Sequence, residues 1–114
     1  MPAIFIACYP RPADGKYRFD LEYYLKTHMP MQLRIHGPYG MRSYHVIKPT
    51  EESPYVVQTV EFWDSVEGIE KGLADSEGTQ ALYDDIKNYT DITNAFPIKA
   101  EVKGSYLEPN FQIQ

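Results

Sequence analysis

The chain has 114 residues, 43% hydrophobic and 24% charged, a balance that supports one folded domain and excludes both a disordered chain and a two-domain one. Sixteen acidic residues against eleven basic ones give a formal charge of −5, which argues against nucleic acid as an electrostatically held partner. No run approaches the roughly 18 apolar residues of a membrane helix, the opening Met1-Pro2-Ala3-Ile4-Phe5 lacks a basic leader region, and the single cysteine, Cys8, fits a reducing cytoplasm.

The first predicted element is a strand over Ala3 to Tyr9, stopped by Pro10 and Pro12. Ile4, Ile6 and Cys8 share one parity and Phe5, Ala7 and Tyr9 the other, so this strand needs cover on both faces. A helix follows, with Asp20 as its N-cap and Phe19 against Tyr24 as a hydrophobic staple. Its apolar stripe is Leu21, Tyr24, Leu25 and His28. Pro30 predicts a stop or kink beside His28, with a short second piece over Met31 to Ile35.

A second strand is expected over Gly40 to Ile47, with Arg42, Tyr44 and Val46 on one face and Met41, Ser43, His45 and Ile47 on the other. A polar loop leads to a third strand, Tyr55 to Phe62, paired antiparallel with the second. Asp64 is the expected cap of the next helix, with Glu67 reaching back to it, and Val66, Ile69 and Leu73 form its stripe. Gly72 weakens that helix slightly. Ser76 is expected to recap a second segment carrying Leu82, Ile86 and Tyr89. The last strand, Pro97 to Tyr106, alternates Ile98, Ala100 and Val102 inward with Lys99, Glu101 and Lys103 outward, a pattern suited to an edge.

The order β-α-β-β-α-β is the ferredoxin-like α+β arrangement, a four-stranded antiparallel sheet with helices on one face. Residues 1–106 form the single domain and 107–114 a tail. Two helices cover one side of four strands, and a second copy of the chain is the simplest cover for the other, so a homodimer is expected, with the tail packing on the partner.

His28 stands on the inward stripe of its helix. It is either a core histidine holding a carbonyl or an acid/base in a pocket between helix and sheet, where burial favours the neutral imidazole. His45 and Tyr44 lie on opposite strand faces, so only one of them addresses a given pocket. His36, beside Gly37-Pro38, reads as a loop histidine. His28 and His36 are eight positions apart across a proline, which is not a metal-ligand spacing, and no metal is expected. Tyr23, Tyr24, Tyr39, Tyr44, Tyr55, Tyr83 and Tyr89 supply phenols that either pack or orient a ligand oxygen. Trp63 reads as a hydrophobic anchor, and Asp91 as a turn former or the partner of a histidine. Phosphate loops, nucleophile elbows and dinucleotide fingerprints are missing from the sequence, so no nucleotide cofactor is expected.

Phe19, Tyr23-Tyr24-Leu25 and Thr27-His28-Met29-Pro30 together resemble the Phe…Tyr-Trp…His-x-Pro signature of the EthD family, named for an ethyl tert-butyl ether degradation cluster. Met41-Arg42-Ser43-Tyr44 resembles its second strand, Glu61-Phe62-Trp63-Asp64-Ser65-Val66-Glu67 its third strand running into a capped helix, and Ala100-Glu101-Val102 its last strand. Asp91 falls where the family often has an Asp. The similarity spans residues 3 to 103, with Tyr24 in place of the usual Trp. It implies a dimeric α+β barrel with a cavity between sheet and helices, faced by His28. The wider superfamily includes cofactor-independent monooxygenases, lactone isomerases, decarboxylases and polyketide dehydratases or cyclases.

The expected function is therefore a cofactor-independent enzyme acting on a hydrophobic, oxygenated ring compound. His28 moves the proton, and Tyr24, Tyr44, His45, Trp63 and Asp91 bind the substrate. A non-catalytic carrier of a small apolar molecule is the alternative, and an oligomerising domain without a pocket is a third.

Overall fold

Apolar side chains on both parities of the first segment carry it to the interior of a sheet. The computed structural model describes residues 1–112. It contains β1 (Ala3–Pro10), β2 (Met41–Ile47), β3 (Tyr55–Trp63) and β4 (Phe96–Glu101), all antiparallel in the order β2-β3-β1-β4. The helices are α1 (Leu21–Tyr23), a π turn (Tyr24–His28), α2 (Met29–His36), α3 (Val66–Ala74) and α4 (Ser76–Asp85). This is the ferredoxin-like β-α-β-β-α-β fold expected from the sequence. No helix is long and apolar enough to cross a membrane.

Cross-strand partners share a face. Tyr9 opposite Val57, Ala7 opposite Thr59, Phe5 opposite Glu61 and Ala3 opposite Trp63 form the face that meets the helices. Tyr9, Val57, Trp63, Tyr24, Met29, Ile69 and Tyr89 are buried there in one core. Ile4, Ile6, Val60, Ile98 and Phe96 lie on the opposite face, with Phe62 still 40% and Ile98 42% exposed. No element of the described residues covers that face.

Three local expectations are corrected. The first concerns Pro30, which does not end the helix. The chain widens by one residue, Met29 N–H bonding the Tyr24 carbonyl, and continues as α2 with Pro30 in its first turn, where a missing N–H is tolerated. The second concerns strand parity. A bulge in β2 sets Met41 opposite Trp63 and Ser43 opposite Phe62, so Met41 turns into the core instead of sharing the face of His45. The third is the direction of β4. Ile98 and Ala100 face away from the helices, whereas Lys99 reaches Glu70 of α3 at 2.7 Å. β4 is nonetheless the edge strand, as expected.

Capping also shifts. Asp20 caps α1 as predicted, accepting from Tyr23 N–H at 3.0 Å, but Ser65 caps α3 and Asp75 caps α4. Asp64 instead pairs with Arg42. Gly72 has a packing reason, because an added Cβ would press Trp63 and His36 at 3.2 and 3.3 Å.

Candidate functional site

The π turn rotates two large polar rings inward. Tyr24 and His28, four residues apart, stack at 5.3 Å with only 12° between their planes, as widening the turn brings positions i and i+4 nearly into line. His28 is 6% exposed. Its Nδ1 donates to Asp85 Oδ2 at 2.9 Å, since an ionised carboxylate can only accept. Asp85 ends α4 and also accepts from the Tyr23 hydroxyl at 2.6 Å and Asn88 Nδ2 at 2.9 Å. His28 Nε2 has no hydrogen-bond partner among the described residues.

Burial lowers the His28 pKa below its ordinary value, against the Asp85 hydrogen bond and charge, which raise it. The imidazole is therefore neutral at pH 7, with its lone pair on Nε2. Burial raises the Asp85 carboxyl, but hydrogen bonds from Tyr23, Asn88 and His28 outweigh it and hold this acid low and ionised. The result is an oriented carboxylate–imidazole dyad, chemically a general base.

Around it lies an aromatic shell. Tyr89 tilts over His28 at 4.6 Å, and Phe19 packs on both Tyr24 and Tyr89 at 5.1 and 5.4 Å, as the staple predicts. The Tyr89 and Tyr9 hydroxyls bond each other at 2.8 Å, and Tyr24 OH meets Thr59 Oγ1 at 2.6 Å. Burial drives all three phenol pKa values upward, so they stay protonated.

A cavity of about 730 Å³ opens beside this shell, between the β1–β4 side of the sheet and the end of α4. Phe5, Ala7 and Tyr9 form its sheet wall, Leu73, Tyr83 and Ile86 its helical wall, and Arg18, Lys87 and Asp91 stand at its polar margin. Two strands of chain frame it. The Asp20 N–H bonds the Tyr89 carbonyl at 2.7 Å, and the Thr90 hydroxyl bonds the Arg18 carbonyl at 2.7 Å.

The residues singled out from the sequence do not all meet there. Asp91 lines the cavity, but its Oδ1 accepts the Arg18 N–H at 2.9 Å, and the partner of His28 is Asp85. His28 and Tyr24 sit one ring behind the cavity wall, screened from it by Tyr89 and Tyr9, so the expectation that His28 faces the hollow is corrected. Tyr44 lies on the helix face of β2 against the core. His45 lies on the open face, edge-on to Phe62 at 5.9 Å. Trp63 is buried and donates Nε1–H to Glu61 at 3.1 Å. None of these three lines the cavity.

His36 is not a loop residue. It ends α2, is 1% exposed and packs on Trp63, with Nε2 buried and unpartnered. It belongs to a second buried polar cluster with Gln32 and Glu61. Glu61 Oε1 accepts from Gln32 and Trp63, and burial raises its pKa to about 7 against those hydrogen bonds. Sequence reasoning missed Asp85, Gln32 and Glu61. A glutamate on the core-facing parity of an inner strand was the available signal for Glu61. Asp85 offered none, because it ends a helix where acidic residues are usually solvated. Among the described residues, no three of His, Cys, Asp and Glu gather in a group able to hold a metal ion.

No family model and no curated protein matches the sequence. Solved structures do match, over nearly the whole chain. An EthD-like protein from Ralstonia eutropha is 27% identical, covers 92% of this chain and 95% of its own, and superposes with a TM-score of 0.75. The EthD resemblance carried by Phe19, Tyr23-Tyr24 and His28-Met29-Pro30 is thus borne out by the structure. A cofactor-independent oxygenase from Streptomyces nogalater shares the fold at 6% identity and TM-score 0.61, covering 94% and 98% of the two chains. A dimeric ferredoxin-like protein from Thermobifida fusca does so at 11% and 0.54, covering 90% and 92%. The chain accordingly has the fold of small-molecule enzymes of the ferredoxin-like, dimeric α+β class.

Proposed function

We propose that this protein is a cofactor-independent, cytoplasmic enzyme acting on a hydrophobic, oxygenated ring compound, with His28 as its general base. The observation that carries this reading is the Asp85–His28 dyad, which fixes the tautomer, keeps the ring neutral and leaves Nε2 unengaged. Proton transfer beside a carbonyl needs neither a metal nor an organic cofactor, and is worth roughly 10²–10⁴ in rate. The phenols of Tyr9 and Tyr89, protonated at all ordinary pH values, hold the oxygen on which charge develops. Tyr89 must swing aside for a ligand in the cavity to reach Nε2.

The working unit in this reading is a homodimer of one-domain subunits. The uncovered sheet face supports it, as do Tyr106, Leu107 and Phe111, apolar residues of the 107–114 tail that are 84%, 68% and 55% exposed. These seat on the partner. Residues 113–114 of the tail lie outside the described residues.

One observation favours a second reading. The cavity is walled without His28, which suits a protein that binds a small apolar molecule and does not transform it. Native mass spectrometry of the full chain from its source would identify a retained ligand. Conversion of that ligand over time, abolished by His28→Ala in a variant that still folds, supports the enzyme. Retention without conversion, or conversion unaffected by the substitution, removes His28 from any mechanism.

A further inference from the structure

The cavity differs in charge from the rest of this acidic molecule. Its interior is Phe5, Ala7, Leu73 and Ile86, yet two cations, Arg18 and Lys87, stand at its margin. Neither forms an ion pair among the described residues. Arg18 Nη2 donates to the Lys87 carbonyl at 2.8 Å, which anchors the guanidinium across the mouth and leaves most of its donors free. The one acid present, Asp91, has an oxygen engaged by the Arg18 backbone N–H. Two unneutralised cations so close together repel, and an anion between them relieves that repulsion. In a chain of net charge −5, such a pair is not a general surface property.

We infer that the cavity selects an organic carboxylate, a hydrophobic ring system carrying one ionised acid group. The ring is taken by the apolar walls and the carboxylate by Arg18, with Lys87 adding its charge. Guanidinium–carboxylate geometry permits a two-point fork, which fixes the ring's orientation as well as its affinity. The volume of about 730 Å³ suits a two- or three-ring molecule. This inference rests on the small-molecule reading above and names the substrate class for the same cavity.

Calorimetric titration of the full-length protein with 2-naphthoate, neutral 2-naphthamide and cationic 2-naphthylmethylammonium tests it. The expected order is carboxylate first, about tenfold or more tighter than the amide. Arg18→Gln and Lys87→Gln should each erode that preference and leave amide binding unchanged; Lys87 serves as the safer variant, since its side chain makes no bond that the fold uses. Ala95→Trp, which fills the cavity from an exposed position on its wall, should abolish all binding. Equal affinity for acid and amide, or preference for the ammonium, overturns the inference and leaves the small-molecule reading standing. Failure of every probe to bind, or binding untouched by Ala95→Trp, overturns both.

Discussion

Asp85 and His28 meet at 2.9 Å although 57 residues separate them in sequence, one at the end of α4 and the other at the end of the π turn. The contact sets the tautomer of His28 and opposes the loss of basicity that burial imposes. Asp85→Asn should lower the His28 pKa further, because both the charge and the hydrogen bond that raise it are lost. The variant should also lose about 1–3 kcal/mol of stability through the weakened bonds to Tyr23 and Asn88. Nitrogen-15 NMR of the imidazole would read the tautomer, and a titration would read the pKa; an unchanged tautomer and pKa would disprove the dyad. The sign for stability follows. His28 has a folded pKa below its ordinary value of about 6.5, so its contribution is complete above that pH and is lost as the solution becomes more acid.

Glu61 runs the other way. Its pKa rises from 4.5 to about 7, so its contribution to stability is complete below about pH 4.5 and disappears as pH climbs through about 7. Glu61→Gln keeps an acceptor for Gln32 and Trp63 without the charge. It should match the parent near pH 4.5 and exceed it by up to about 3 kcal/mol at pH 8. Urea denaturation across that range measures this directly. A parallel pair of stability curves would mean the carboxylate ionises at no cost.

The uncovered sheet face makes a simple demand on oligomeric state. Ile98→Glu places a charge beside Ile6 in the middle of that face. Light scattering should show the parent as a dimer at micromolar concentration and the variant as a monomer with little change in fold. A parent that is already monomeric contradicts the dimer.

Gly68 sits where α3 crosses the turn at Gly37–Tyr39. A Cβ there would collide with the Tyr39 carbonyl oxygen and crowd Ser65 Oγ at 3.3 Å. Gly68→Ala should therefore cost about 1–3 kcal/mol, despite the better helix propensity of alanine. Thermal melts of the two proteins decide the matter, and an alanine variant of equal or greater stability would mean the backbone yields freely.

The fold was legible because strand content, helix stripes and the Asp20 cap all point to one topology. What sequence patterns could not supply was geometry at single-residue precision. One extra residue in the π turn and one in the β2 bulge each rotate their neighbours, which is why Pro30 did not stop the helix and Met41 changed sides. The same resolution limits the site. The signature around His28 marks a residue of consequence, but its partner lies on a different helix, and the cavity is walled by Tyr9, Ile86 and Phe96, which read as ordinary packing until the chain is folded.

The widened turn behaves as a single-residue insertion that the helix has absorbed. Excising one residue between Tyr24 and His28 would let ordinary coiling heal across the gap. Everything downstream would then pivot by about 100° around the axis. Gln32 and His36 would swing out from beneath the β3 tryptophan, and Glu61 would be stranded. Length between Asp20 and Gly37, more than the identity of any residue there, is therefore what this architecture is least free to change.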